Sequence, residues 1–84
     1  MFEKLKKTIE IYNRYRSPEA TAKLVDVNSK EIIVEFVGPF CDTCGVVDWL
    51  EDLVYEAEDQ GLRLRLVDFR KVEPYRIIAR FRLD

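Results

Sequence analysis

The residues best equipped for chemistry are two cysteines three positions apart, Cys41 and Cys44, in Phe40-Cys41-Asp42-Thr43-Cys44-Gly45. Cysteine is a ligand or nucleophile only as the thiolate. At the start of a helix, the free backbone N–H groups and the helix dipole favour that charged sulfur and lower its pKa. The spacing lets both sulfurs reach one metal centre or each other. Three chemistries are therefore open: half of a metal or cluster site, a reversible disulfide, or a thiol carrier. Free cysteines also occur as small buried apolar residues. A structural zinc or a four-iron cluster normally takes four protein ligands. The chain has two cysteines and no histidine. A metal site at Cys41 and Cys44 is therefore expected to be shared by two copies in a homodimer.

The elements around the cysteines place them. Ile32-Ile33-Val34-Glu35-Phe36-Val37 is an apolar run that Gly38-Pro39 ends, and a periodic segment follows as far as Gly61. This reads as strand, turn and helix, with the CxxC at the N-terminus of the second helix. That helix is predicted over 45–60, with Val46, Leu50, Leu53 and Ala57 as its apolar stripe, widened by Trp49 and Val54, and Gly61 at its C-terminal end. An earlier helix is predicted over 2–16, with Phe2, Leu5, Ile9 and Tyr12 on one face, ending at Ser17-Pro18. Residues 20–27 and Glu31–Val37 read as a hairpin turning at Asn28, a residue that tolerates positive φ. Residues 62–69 and 75–83 alternate apolar with charged residues, as half-buried strands do, and are joined by Arg70–Pro74.

The expected fold is one domain over residues 1–84, α+β, a two-layer sandwich in the order α-β-β-α-β-β. The sheet is expected to be mixed, with both helices on one face because the other carries Arg63, Arg65, Arg76, Arg80 and Arg82. RNA-binding sheets interleave basic residues with stacking aromatics. Here Tyr75 and Phe81 share parity with the buried positions, so a solvated, ion-paired face is expected and nucleic acid is not.

Lys, Arg, Asp and Glu make up 36% of the 84 residues, and this bias resembles that of thermophile proteins. Residues 31–62 hold nine acidic and no basic residues, whereas the flanking segments are net basic. The plain expectation is a solvated acidic helix among basic neighbours. No stretch approaches the ~20 apolar residues that cross a bilayer, and no secretory pattern opens the chain, so a cytoplasmic protein is expected. Without histidine, a nucleophile elbow or a phosphate-binding glycine loop, hydrolytic chemistry is not expected.

From Ala22 to about Phe69 the chain resembles the C-terminal domain of the NifU family of iron–sulfur cluster scaffolds. The resemblance lies in the hairpin Leu24-Val25-Asp26-Val27 to Ile32-Ile33-Val34-Glu35-Phe36, in Gly38 before Cys41-Asp42-Thr43-Cys44, and in the helix and strand that follow. Ser17-Pro18-Glu19-Ala20 stands where the family has a glycine-rich turn, Gly45 stands where it has proline, and strand 75–83 is an addition. The resemblance implies that Cys41 and Cys44 bind a [4Fe–4S] cluster, that a cysteine desulfurase system supplies its sulfur, and that apo-proteins receive it. Such a chain is a scaffold rather than an enzyme. A second resemblance, Val34 to Cys44, is to the active-site strand and loop of thioredoxin-like proteins. It implies a thiol–disulfide oxidoreductase in which Cys41 attacks and Cys44 resolves. Zinc or mononuclear iron at the pair is another option. The last is a small interaction module with structural cysteines and no cofactor.

Overall fold

A computed structural model describes residues 2–42 and 45–84, and for Cys41 and Asp42 it describes the backbone alone. The order is α1 (Phe2–Arg16), β1 (Thr21–Val27), β2 (Glu31–Val37), a 3-10 turn (Pro39–Asp42), α2 (Val46–Asp59), β3 (Leu64–Glu73) and β4 (Arg76–Leu83). This is the expected α+β order. The four strands run β1-β2-β4-β3 across one sheet.

The sheet is antiparallel throughout, not mixed. The reason lies in the crossover. The β2–α2–β3 connection makes β2 and β3 run the same way, which suits a parallel pair. β4 enters between them, antiparallel to both, so no parallel pair forms.

Alternation along β2 and β4 builds the core. Ile32, Val34 and Phe36 are buried opposite Phe81, Ala79 and Ile77. Leu5, Thr8 and Tyr12 from α1 and Leu50, Leu53 and Ala57 from α2 are buried as well. The apolar residues of both helices join the inward strand residues in a single cluster. Thr8 is buried too, and its hydroxyl is satisfied by donating to the Lys4 carbonyl (2.7 Å) within its own helix. Phe2, expected in the core stripe, is half exposed at the helix start.

The turns follow local chemistry. Asn28 does turn the hairpin, but no described residue other than glycine has positive φ. Its side-chain oxygen instead accepts from the N–H groups of Lys30 and Glu31, both at 2.9 Å. At the end of α2 the Leu62 N–H donates to the Ala57 carbonyl and the Gly61 N–H to Glu58, both at 2.9 Å. Gly61 takes the left-handed conformation that this closure needs (φ 83°).

β3 begins later and runs further than the alternation of 62–69 predicts. Two bulges, at Val67 and Val72, break its period of two. The charged stretch Asp68–Glu73 still pairs with β4, leaving Pro74-Tyr75 as the turn.

Of the five arginines expected on the outer sheet face, Arg76 and Arg80 are ion-paired, and Arg63 lies before β3 begins. Arg76 donates to Glu35 and Glu73, and Arg80 donates to Asp68 (2.8 Å) with Glu31 nearby at 3.9 Å. The hydrogen bond to Glu35 most of all holds the Arg76 pKa above its usual value, and the one to Asp68 does so for Arg80. No helix among the described residues is long and apolar enough to cross a membrane.

Tyr12 and Arg16 fasten α1 to α2. The buried Tyr12 hydroxyl donates to the Trp49 carbonyl (2.9 Å). Arg16 lies over the Tyr12 ring and donates to Asp52 (3.2 Å) and Glu56 (2.9 Å). Desolvation opposes the Arg16 charge, but its hydrogen bonds to Glu56 and Asp52 outweigh that and raise its pKa. Burial raises the Tyr12 pKa, favouring the neutral phenol in the folded state. Stability from this phenol is therefore present below about pH 10, the ordinary tyrosine value, and lost as pH rises beyond it. Tyr12→Phe should cost about 1 kcal/mol at neutral pH for the lost hydrogen bond. In denaturant titrations the gap between wild type and variant should narrow above that pH.

Candidate functional site

The segment carrying Cys41 leaves the C-terminal end of β2 and is held from three directions. Gly38 comes first. It has φ 148°, and a Cβ built there would lie 2.1 Å from the Glu19 carbonyl oxygen, so only glycine fits. Its N–H donates to the Tyr75 carbonyl in the β3–β4 turn (2.9 Å). The Phe40 N–H donates to the Glu19 carbonyl (3.3 Å). The Phe40 side chain is fully buried, with ring centroids 6.3 Å from Phe36 and 5.8 Å from Trp49. The loop after α1, the β3–β4 turn and the first turn of α2 thus converge on residues 38–40.

Cys41 follows directly, in the 3-10 turn Pro39–Asp42. Cys44, the other half of the expected pair, lies outside the described residues, so the expected sulfur-to-sulfur proximity does too. Gly45, next in the chain, is the N-cap of α2, in the left-handed region (φ 86°, ψ 25°). Its carbonyl accepts from the Asp48 N–H (2.9 Å) and the Trp49 N–H (3.3 Å). Glycine brings no side chain to the cap, so the first-turn N–H groups of α2 gain no side-chain acceptor from it. A helix start of this kind suits thiolates chemically. Acidic residues accompany it: Asp48 in the first turn, then Glu51, Asp52 and Glu56, of which the last two are engaged by Arg16.

The donor set offered to a cofactor is the cysteine pair. Among the described residues no three potential ligands of the Cys, His, Asp and Glu types gather together. Two thiols match in number half of the ligands that a four-ligand cluster or metal site takes. Two shallow depressions lie elsewhere. One is at the far end of α2, between Glu58, Leu62, Arg63 and Asp84, and the other is on the outer sheet face between Ile33, Ile78 and the Asp68–Arg80 pair. Neither is lined by Gly38, Pro39, Phe40 or Gly45.

Sequence reasoning placed Cys41 between the second strand and the second helix, where the 3-10 turn lies. It missed the groups that hold the segment, the Glu19 and Tyr75 carbonyls, because backbone acceptors have no sequence signature. Gly38 was the available signal: a glycine just before a buried aromatic marks a close backbone approach. Matched against family models and curated protein sequences, the chain finds no counterpart in either.

Gly38→Ala should destabilise the fold by about 2 kcal/mol or more, since it adds left-handed strain to a collision with a backbone carbonyl. A lowered melting temperature in thermal unfolding is the expected readout.

Proposed function

We propose that this chain is an iron–sulfur cluster scaffold or carrier. In this reading Cys41 and Cys44 hold a [4Fe–4S] cluster as cargo, two chains share one cluster, and the cluster passes to apo-proteins. The observation that carries it is the position of the motif. The Cys41 turn is anchored through Gly38 and Phe40, and Cys44 immediately precedes the N-cap of α2. The resemblance of residues 22–69 to NifU C-terminal domains points the same way. The chain offers two thiols and no histidine, so a four-ligand cluster takes its other two ligands from a second copy.

Each part of the chain has a task in this reading. The thiolates bind the iron. Backbone N–H groups at the start of α2 offset part of the negative charge of thiolates and sulfides. Acidic residues along α2 add negative charge, which lowers the reduction potential and favours the oxidised cluster. The 3-10 turn that carries Cys41 lies between β2 and α2, and in this reading the cargo is handed over from there.

Anaerobic reconstitution with ferrous iron and sulfide tests this. The expected result is cluster absorbance, about four irons per two chains, and loss of both in Cys41→Ser and in Cys44→Ser. A chain that takes up no iron, yet reduces insulin disulfides in a Cys41-dependent way, would replace the scaffold with the thiol–disulfide oxidoreductase.

A further inference from the structure

The two edges of the sheet are not alike. On β1 the Asn13 side-chain amide occupies both backbone groups of Ala22, accepting from its N–H (2.7 Å) and donating to its carbonyl (2.9 Å). α1 thereby blunts that edge. β3 is the other edge, and no described strand pairs with its outer side. From Val67 to Glu73 every residue is exposed, including three large apolar ones, Val67, Phe69 and Val72, at 38–41%. A long edge with apolar side chains is a template for another strand.

The charges on that edge specify which strand. Asp68 and Glu73 are bound by Arg80 and Arg76, so both carboxylates are on the outer face. The β3–β4 register puts Arg65 and Arg70 on the same face. Among the described residues neither Arg65 nor Arg70 makes an ion pair. Arg65 moreover stands directly opposite Arg82, an unfavourable like-charge pair. Along β3 the outer-face order is therefore basic, acidic, basic, acidic, and its antiparallel reverse is complementary to it.

We propose that β3 pairs antiparallel with β3 of a second copy, centred on Phe69, joining two sheets into one of eight strands. In that register Asp68 stands opposite Arg70 of the second copy, and Arg65 stands opposite its Glu73. On the other face Phe69 meets its symmetry mate, and Leu66 stands at the level of the bulge residue Val72. Every contact but the Phe69 pair on the axis occurs twice, as a two-fold axis requires. The neighbouring registers that keep the faces aligned are excluded by charge. A two-residue slide one way sets Asp68 against Asp68, and the other way Arg70 against Arg70. The carboxylate of Glu73 also relieves the opposed arginines at 65 and 82.

This edge dimer does not use the cysteines. The Cys41 turn hydrogen-bonds through Gly38 to the β3–β4 turn, near the Glu73 end of β3. The two-fold axis sends the two cysteine turns to opposite ends of the joined sheet. A cluster shared as proposed above would therefore link edge dimers to one another rather than create them.

Sedimentation equilibrium of the full chain, with chelator and reductant present, tests the proposal. The expected mass rises with concentration from 10.0 kDa toward twice that value. Arg70→Asp, which breaks no ion pair within the described chain, should stay monomeric, and so should Asp68→Arg. An equimolar mixture of these two variants should recover the dimer, because each supplies the charge that the other lacks. The double variant Cys41→Ser, Cys44→Ser should dimerise like wild type, whatever becomes of iron binding. A wild-type chain that remains monomeric at all concentrations would overturn the proposal. So would a dimer unaltered by Arg70→Asp, or one lost when the cysteines are replaced. Circular dichroism of Asp68→Arg checks that its loss of the Arg80 partner leaves the fold intact. Should it unfold, the Arg70→Asp result decides alone.

Discussion

Phe36 is the point where the layers of this protein meet. It is fully buried near the end of β2, and its ring approaches Tyr12 of α1 (5.6 Å), Phe40 of the 3-10 turn (6.3 Å) and Phe81 of β4 (6.2 Å). Aromatic pairs in edge-on and tilted arrangements contribute beyond the area that they bury. More important here is that the four rings come from four elements. The ring that closes the core is therefore the ring that fixes where the cysteine-bearing turn leaves the sheet. Tyr12 extends the same contact network to the Trp49 carbonyl, so the first turn of α2 is held against α1 by a donor whose ring is already seated on Phe36.

The cysteine segment is accordingly held from its N-terminal side. Before Cys41 there is a glycine in close backbone contact, two hydrogen bonds to distant carbonyls and a buried phenylalanine. After Cys44 there is a left-handed glycine and then the helix. The core and the path of the turn share residues here: a change at Phe40 or Gly38 disturbs both. Cys41 and Cys44 are the chain's two thiols, and it has no histidine.

Much of this was legible in the residues, for identifiable reasons. The apolar spacing of Leu50, Leu53 and Ala57 and the run Ile32–Phe36 obey the periods of helix and strand, and the observed α1, β1, β2 and α2 lie within a residue or so of the expected bounds. Pattern could not foresee the insertion of β4 between β2 and β3, because strand order depends on the whole sheet rather than on any one segment. Nor could it foresee the length of β3. Arg70-Lys71-Val72-Glu73 looks like a loop by composition, and two bulges conceal the alternation of the strand. The position of Cys41 between strand and helix follows from its neighbours. The closeness expected of the two sulfurs has no counterpart among the described residues.

The central place of β4 also bears on how the molecule is made. β4 is the latest of the four strands to be synthesised, yet it forms ladders with both β2 and β3. Until it emerges, β2 has only its hairpin partner and β3 has none. The inward residues Ile32, Val34 and Phe36 must wait for Phe81, Ala79 and Ile77 to arrive beside them. Non-local pairing of this kind defers most of the stabilising contacts to the end of assembly. Translation thus delivers this domain nearly whole before it can commit to its fold.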